Sequence, residues 1–475
     1  MSEDRLRNKS TLTLLFVVAL GGCMVGPDYV RPTAPTPAAY KEADGWKVAQ
    51  PADAAPRGKW WEAYNDPVLN GLVERVDVDN FNIALYEARV RQANAGTQAA
   101  SAALWPVVNA GAGASRNSAN SSTLGRTTNA AYNVALGASW EPDLWGGIRR
   151  NIESAGASAQ ATEADLANAR LSVQASVAQN YFLLRVQDAQ IALLEDTVEA
   201  YDKSLQLTRN QYAAGIVARG DVAQAEAQLK STQAQVYDAR ISRAQLEHAI
   251  AVLVGKPPSE LSIAPQPKLA AAYPDIPLVV PSALLERRPD IAAAERRAAA
   301  ANAQIGVAQA AFFPSVTLSA NGGLQSSVIG SLLSLPNHYW TLGASLAQAV
   351  FDAGLRTAQK EQAIAVYDQA VASYRSTVLT GFQEVEDNLV ALSLLAQEAS
   401  VQAEAVAAAR QSATIAQNQY RAGTTSYVAV VVLQANALNN ERNALGITAR
   451  RLTASVSLVR AMGGGWDATQ LAAKE

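Results

Sequence analysis

The sequence predicts a membrane-embedded α+β fold in which several copies of the chain close one barrel. Three observations predict it: four short stretches of alternating character, helical patterns longer than any globular domain, and a duplication that repeats both. The 475 residues include 17% charged and only 6% aromatic side chains, with alanine filling positions where a globular core would hold leucine or phenylalanine. Such a chain packs thin elements closely. A net charge of −3 supplies no basic field for phosphate backbones, which argues against nucleic acid as a partner.

Residues 1–22 read as an export signal. Arg5, Arg7 and Lys9 precede an apolar run, Leu12 to Leu20, too short to span a bilayer as a helix. Next comes Leu-Gly-Gly-Cys, and Cys23 is the only cysteine of the chain. A single cysteine cannot form an internal disulfide, and the placement resembles a bacterial lipobox, which makes Cys23 the expected acylated first residue of the mature protein. Residues 23–58, with prolines at 27, 32, 35, 37, 51 and 56, read as an extended, lipid-anchored tether.

The first repeat covers 59–266, with helices expected at about 67–104, 144–212 and 221–254. In the second of these, Val173, Val177, Tyr181, Leu184, Ile191, Leu194, Val198 and Tyr201 form one narrow seam of coiled-coil type. The second repeat covers 267–464, with helices expected at about 289–312, 354–420 and 428–462, and 465–475 form a tail. Pro106 and Pro314 lie 208 residues apart, as do Tyr212 and Tyr420, and Leu-Gly-Ala-Ser occurs at 136–139 and at 342–345.

Each repeat holds two alternating stretches: about 106–115 and 130–141, then about 314–325 and 338–350. Tyr132, Val134, Leu136 and Trp140 share one face of the second, and Trp340, Leu342 and Leu346 one face of the fourth. Strands of roughly this length, with one apolar and one small or polar face, suit a transmembrane barrel. The polar segments between them, 116–129 and 326–337, are expected as outward loops. Four strands cannot close a barrel, and open edges are costly in lipid, so copies of the chain must complete it. Pro106 and Pro314 mark the helix-to-strand transitions, where the missing N–H ends the helical ladder and the chain passes into strand without a turn.

At this point the residues resemble the TolC-like outer-membrane factors of tripartite efflux systems, and among them the efflux lipoproteins. The resemblance rests on Gly-Pro-Asp-Tyr-Val-Arg-Pro at 26–32, on "PSALLERRPDIAAAERRAAAANAQIGVAQAAFFPSVTLSA" at 281–320 and on Ala-Gly-Thr-Thr-Ser-Tyr at 422–427. It runs from Cys23 to about Gly464. It implies a homotrimer with a twelve-stranded barrel, a long periplasmic α-helical barrel and a mixed equatorial region. It also implies a location in the outer membrane, among its lipids, and partnership with a periplasmic adaptor and an inner-membrane transporter of the resistance-nodulation-division type. The duct itself is passive, and neither enzymatic activity nor a cofactor is implied.

Two helix-hairpin tips, around Gly215 and Gly423, stand at the far end of the helices. In the family a resting lock joins an Asp of the first tip to a Tyr and an Arg of the second. Asp221 and Tyr420 occupy two of those places, Thr425 stands at the third, and Arg219 or Arg421 is the candidate substitute for the missing arginine, with Tyr427 beside them. The family's pore-lining aspartates are replaced by an apolar run, of which Val428, Val431 and Val432 are expected to form a hydrophobic constriction. His248 and His338 are too few for a metal site. Asp-Gly elements at 143–150 and 351–357 recur at equivalent places and read as turn and cap chemistry, and the charges around Pro289 read as structural.

The function expected is therefore a passive outer-membrane duct for small molecules, drugs or toxic compounds among them. The alternatives are the outer-membrane component of metal-ion or type I protein export, or a structural coiled-coil lipoprotein. Three methionines offer little for a soft-metal relay.

Overall fold

A computed structural model describes residues 24–42, 58–121, 125–268 and 281–466. The signal 1–22, Cys23 and the last residues of the tail, from 467 on, lie outside them. In chain order the elements are α1 (Pro67–Asp79), α2 (Phe81–Ala102), β1 (Val107–Ser121), β2 (Gly125–Trp140), α3 (Gly147–Ala213), α4 (Arg219–Leu253), α5 (Pro281–Arg287), α6 (Pro289–Ala310), β3 (Ser315–Ser326), β4 (His338–Ala347), α7 (Leu355–Arg421) and α8 (Tyr427–Ala461). The duplication is visible in the lengths. Helices α3 and α7 have 67 residues each and α4 and α8 have 35 each. At 1.5 Å per residue the longer pair extend about 100 Å.

The chain divides into two compact units. One consists of the described residues up to Thr33, Arg89–Thr162 and Ala293–Tyr374; the other of Ala34–Ala88, Glu163–Ala292 and Arg375 onward. The first unit holds an antiparallel sheet in the order β1-β2-β3-β4. The second holds most of the apolar core, in which Leu69, Val73, Val76, Val177, Tyr181, Leu184, Ile250 and Leu452 are buried together. Within it Asp188 accepts from Arg185 and Arg243, and these two arginines also donate to the carbonyls of Ala264 and Ile263. That buried group pins the segment that follows α4, since Gln266 N–H also donates to Asp188.

Four sequence expectations need correction. The helix expected over 67–104 is two helices. Asn80 ends α1 and caps α2, its Oδ1 accepting from the N–H groups of Asn82 and Ile83 at 2.8 and 3.1 Å, while its Nδ2 donates to Leu253 O. The polar stretch 116–129, expected as a loop, is largely strand: β1 and β2 stay paired out to Ser121 and Gly125. The segment 326–337 does form a loop, with two single 3₁₀ turns.

The chain also does not pass from helix to strand without a turn. After Ala102 and after Ala310 the chain tightens into a turn that ends on i→i−3 bonds, Trp105 N–H to Ala102 O and Phe313 N–H to Ala310 O, before Pro106 and Pro314. Finally, the first residues of the tether are docked rather than merely extended. Gly26 meets Gly306 of α6 so closely that a Cβ on Gly26 would lie 2.5 Å from Gly306 Cα.

Candidate functional site

The sheet is built so that its two faces differ. The register aligns Ala110, Leu136, Gly322 and Trp340 in one row and Val108, Ala138, Ala320 and Leu342 in the next, all on one face. Val134 with Leu324, and Trp140 with Leu318, continue that face. The opposite face carries Asn109, Gly137, Asn321 and Thr341, then Gly113, Asn133 and Gln325. Period-2 alternation in four strands thus yields an apolar sheet surface backed by a polar one. Val134, Leu136, Trp340, Leu342 and Leu346 are exposed, and among the described residues β1 and β4 each present an edge with no partner strand. No helix among the described residues is long and apolar enough to cross a membrane.

The two hairpin tips belong to the second unit. Gly215 and Gly423 adopt φ of 75° and 73°, the left-handed conformation that ends α3 and α7, and matching carbonyls, Gln211 O and Gln419 O, receive the N–H of Ile216 and Thr424. Tyr201, Leu205, Ala225, Leu229, Tyr420, Tyr427, Val430 and Val431 pack into one core between the hairpins. The rings of Tyr420 and Tyr427 lie 5.2 Å apart, and the Tyr427 hydroxyl shares a 3.3 Å hydrogen bond with Ser204.

The expected gate residues fall into two groups here. Tyr420 is buried beside Thr208 with its hydroxyl lacking a well-formed hydrogen bond, and Asp221 stands half-buried in the first turn of α4 with no hydrogen bond to it. Burial pushes both the Tyr420 and Tyr427 phenols up from the ordinary tyrosine value, and the Asp221 charge adds to the effect. Arg219 and Arg421 are exposed, Thr425 is half-buried, and none of these is bonded to Asp221 or Tyr420. Within one chain the lock is therefore not formed.

The constriction set is corrected by the helical period. Val431 is buried in the tip core, on the same side of α8 as Tyr427 and Val430, and cannot face an opening. Val428 and Val432, one turn apart, are exposed at 55% and 60% and share a surface.

A third assembly was not legible beforehand. The stretch from Met24 to Tyr29 runs along α6 as a strap. Val25 N–H donates to Trp145 O, Asn302 Nδ2 donates to Pro27 O, and Tyr29 Oη donates to Glu295 at 2.6 Å. Arg150, only 1% exposed, threads between them and donates to Val25 O, Gly26 O, Asp28 and Glu153. Burial, and next the bond to Glu295, push the Tyr29 phenol well above the tyrosine range. The signal was present in Gly26 followed by Asp28 and Tyr29, but its partners are some 120 to 270 residues away.

The profile of the outer membrane efflux protein family matches residues 72–256 and 280–464, one match per repeat. The chain belongs to that family. Across 465 residues it is 32% identical to the probable efflux pump outer membrane protein TtgC of Pseudomonas putida, covering 96% of each chain. It is 31% identical to the pyoverdine export outer membrane protein OpmQ of Pseudomonas aeruginosa, over 94% of this chain and 95% of that one. Among solved structures, the outer-membrane channel OprN superposes with a TM-score of 0.87 at 32% identity, covering 94% of this chain and 100% of the other. The open state of the Neisseria gonorrhoeae MtrE channel gives 0.83 at 26% identity, over 94% and 99%.

The efflux-protein fold expected from the sequence is thus the fold found, and the chain is an outer-membrane channel component of an efflux system. Its relatives are channel proteins. Among the described residues no three potential metal ligands come together.

Proposed function

We propose that three copies of this chain form the passive duct of a tripartite pump, receiving small molecules through a periplasmic adaptor from an inner-membrane transporter of the resistance-nodulation-division type. The sheet carries this reading: four strands with an apolar and a polar face and two unpaired edges have a stable arrangement in lipid only when β4 of one copy meets β1 of the next. Three copies give twelve strands, within the range of membrane barrels. Like the efflux channel proteins it resembles, the chain acts as a conduit rather than an enzyme. Relatives named for antibiotic efflux, toluene efflux and pyoverdine export make small organic compounds, toxic ones among them, the preferred cargo class.

Cys23 anchors the chain by acylation after removal of residues 1–22. The two repeats, 59–266 and 267–464, each supply one strand pair and one long helical hairpin. At rest Asp221 and Tyr420 pair when three copies draw their tips together, and Val428 and Val432 form the apolar narrowing. A deletion strain tests the cargo: susceptibility to several unrelated amphipathic antibiotics should rise at least fourfold, and unchanged susceptibility across the panel rules out drug efflux. Single-channel recording tests the gate. Asp221→Ala with Tyr420→Phe should raise resting conductance, and equal conductance removes the lock.

A further inference from the structure

We propose that Arg116, Ser118, Arg126 and Thr128 form a binding site for the phosphate of an outer-leaflet lipid headgroup. The proposal rests on the barrel reading above and gives the rim of that barrel a partner. Charge comes first. The segments 107–140 and 315–347, strands and connecting loops together, contain no Asp or Glu, and their only basic side chains are Arg116, Arg126 and His338. The nearest acid along the chain, Glu141, follows Trp140 at the helix end of β2. Closing the barrel with further copies adds no carboxylate, because β4 brings the same acid-free strand and loop to the edge at β1. The counter-charge for the two arginines therefore comes from outside the barrel.

The strand register brings the two together. Ala114 pairs with Tyr132, Arg116 with Ala130, Ser118 with Thr128 and Asn120 with Arg126, so both arginines stand on the apolar side of the hairpin, beyond its last aromatic ring. Both are exposed. Arg126 Nε donates to Ser118 Oγ at 3.1 Å, and Thr128 Oγ1 donates to the same oxygen at 3.4 Å. The first bond draws the Arg126 guanidinium back to the level of Ser118, which is two residues from Arg116 on the same face, so one anion can meet both arginines. Guanidinium pairs with phosphate through parallel N–H···O bonds, and the two hydroxyls add further polar contacts. The helices α2 and α3 join β1 and β2 at the opposite end, which puts the hairpin on the outer-leaflet side. Four residues at about 3.3 Å, on strands tilted about 40°, place Ser118 roughly 10 Å outward of Tyr132. Aromatic girdles mark the edge of the hydrocarbon, so that height belongs to headgroups rather than acyl chains. Below the site the same face continues through Val134, Leu136, Trp340 and Leu342, which line the path of the acyl chains and select a lipid over a free anion.

Native mass spectrometry of the purified full-length assembly in detergent tests this, with lipopolysaccharide stripped to its phosphorylated lipid core as the added probe. The native assembly should retain one probe molecule per chain. Arg116→Gln with Arg126→Gln should weaken retention at least tenfold, and Arg126→Gln alone repeats the test if the double variant does not assemble. Arg75→Gln, at an exposed arginine of α1, should leave retention unchanged. The same probe freed of its phosphates should bind the native assembly at least tenfold more weakly. Equal retention by the native and double-variant assemblies, or equal retention of the two probe forms, overturns the site. Full displacement of the probe by millimolar inorganic phosphate overturns the lipid as its occupant. The same spectrum weighs the assembly itself: a mass other than three chains overturns the barrel reading, whatever lipid it carries.

Discussion

The two strand-to-helix turns, one per repeat, share their chemistry and differ in what they hold. In the first, Asp143 accepts from the N–H groups of Ile148 and Arg149 and pairs with the Arg149 guanidinium; in the second, Asp352 accepts from Gly354 and Arg356 N–H and pairs with Arg356. Gly146 and Gly354 both adopt positive φ, 79° and 88°. Yet the first turn is two residues longer between its Asp and its Arg, and the addition includes Trp145, whose carbonyl receives the strap. It is followed by buried Arg150, where the second has exposed Thr357. Duplicated local rules thus make two equivalent corners, and a small insertion turns one of them into a docking site.

The largest test of that difference is charge removal. Arg150→Ala should cost about 3 kcal/mol, because a buried guanidinium with four partners is lost, whereas Thr357→Ala should stay within about 0.5 kcal/mol. Thermal dissociation of the purified assembly in detergent reads both, and similar values would break the comparison. Next come the glycines. Gly146→Ala meets both an unfavourable φ and Met24, for about 2–3 kcal/mol, while Gly354→Ala has open space around it and pays only the backbone term, about 1 kcal/mol. Protease access to the strap should rise in the first variant alone.

At the tips the same contrast of buried and exposed partners applies. Val431→Ser should lower stability by about 2 kcal/mol through the tip core, and Val432→Ser should leave stability unchanged but raise resting conductance in bilayer recordings. The smallest effect is at Tyr29. Tyr29→Phe should cost about 1 kcal/mol for the lost bond to Glu295. A phenol whose ionisation is suppressed in the folded state stabilises fully below the unfolded value, near pH 10, and that contribution is lost as pH rises toward the folded one. The gap between wild type and Tyr29→Phe should therefore narrow in alkaline buffer, where absorbance at the tyrosinate band reports the titration.

What could be read from sequence was what repeats with a short period. Alternation at Tyr132, Val134 and Leu136 sufficed for the strands, because each side chain faces one of two solvents. The continuation of β1 and β2 to Ser121 and Gly125 was missed because backbone pairing persists where the apolar pattern stops. The break at Asn80 was missed because apolar spacing runs through it, although an Asn followed by a fresh helical pattern is a cap signal. Val431 was assigned to the opening because seven apolar residues in a row do not say which of them the tip core claims. The strap seat depends on Arg150, Glu295, Asn302 and Gly306, which sequence spacing alone does not bring together.

The unpaired edges of the sheet carry a genetic consequence. A wall shared among identical chains is only as sound as its worst member, so a variant that pairs normally at β1 and β4 but blocks the lumen should act dominantly over the wild-type allele. With both alleles expressed equally and three chains mixing at random, about one duct in eight escapes the defective chain. A variant that cannot pair at its edges would instead be recessive, excluded from assembly before it could do harm.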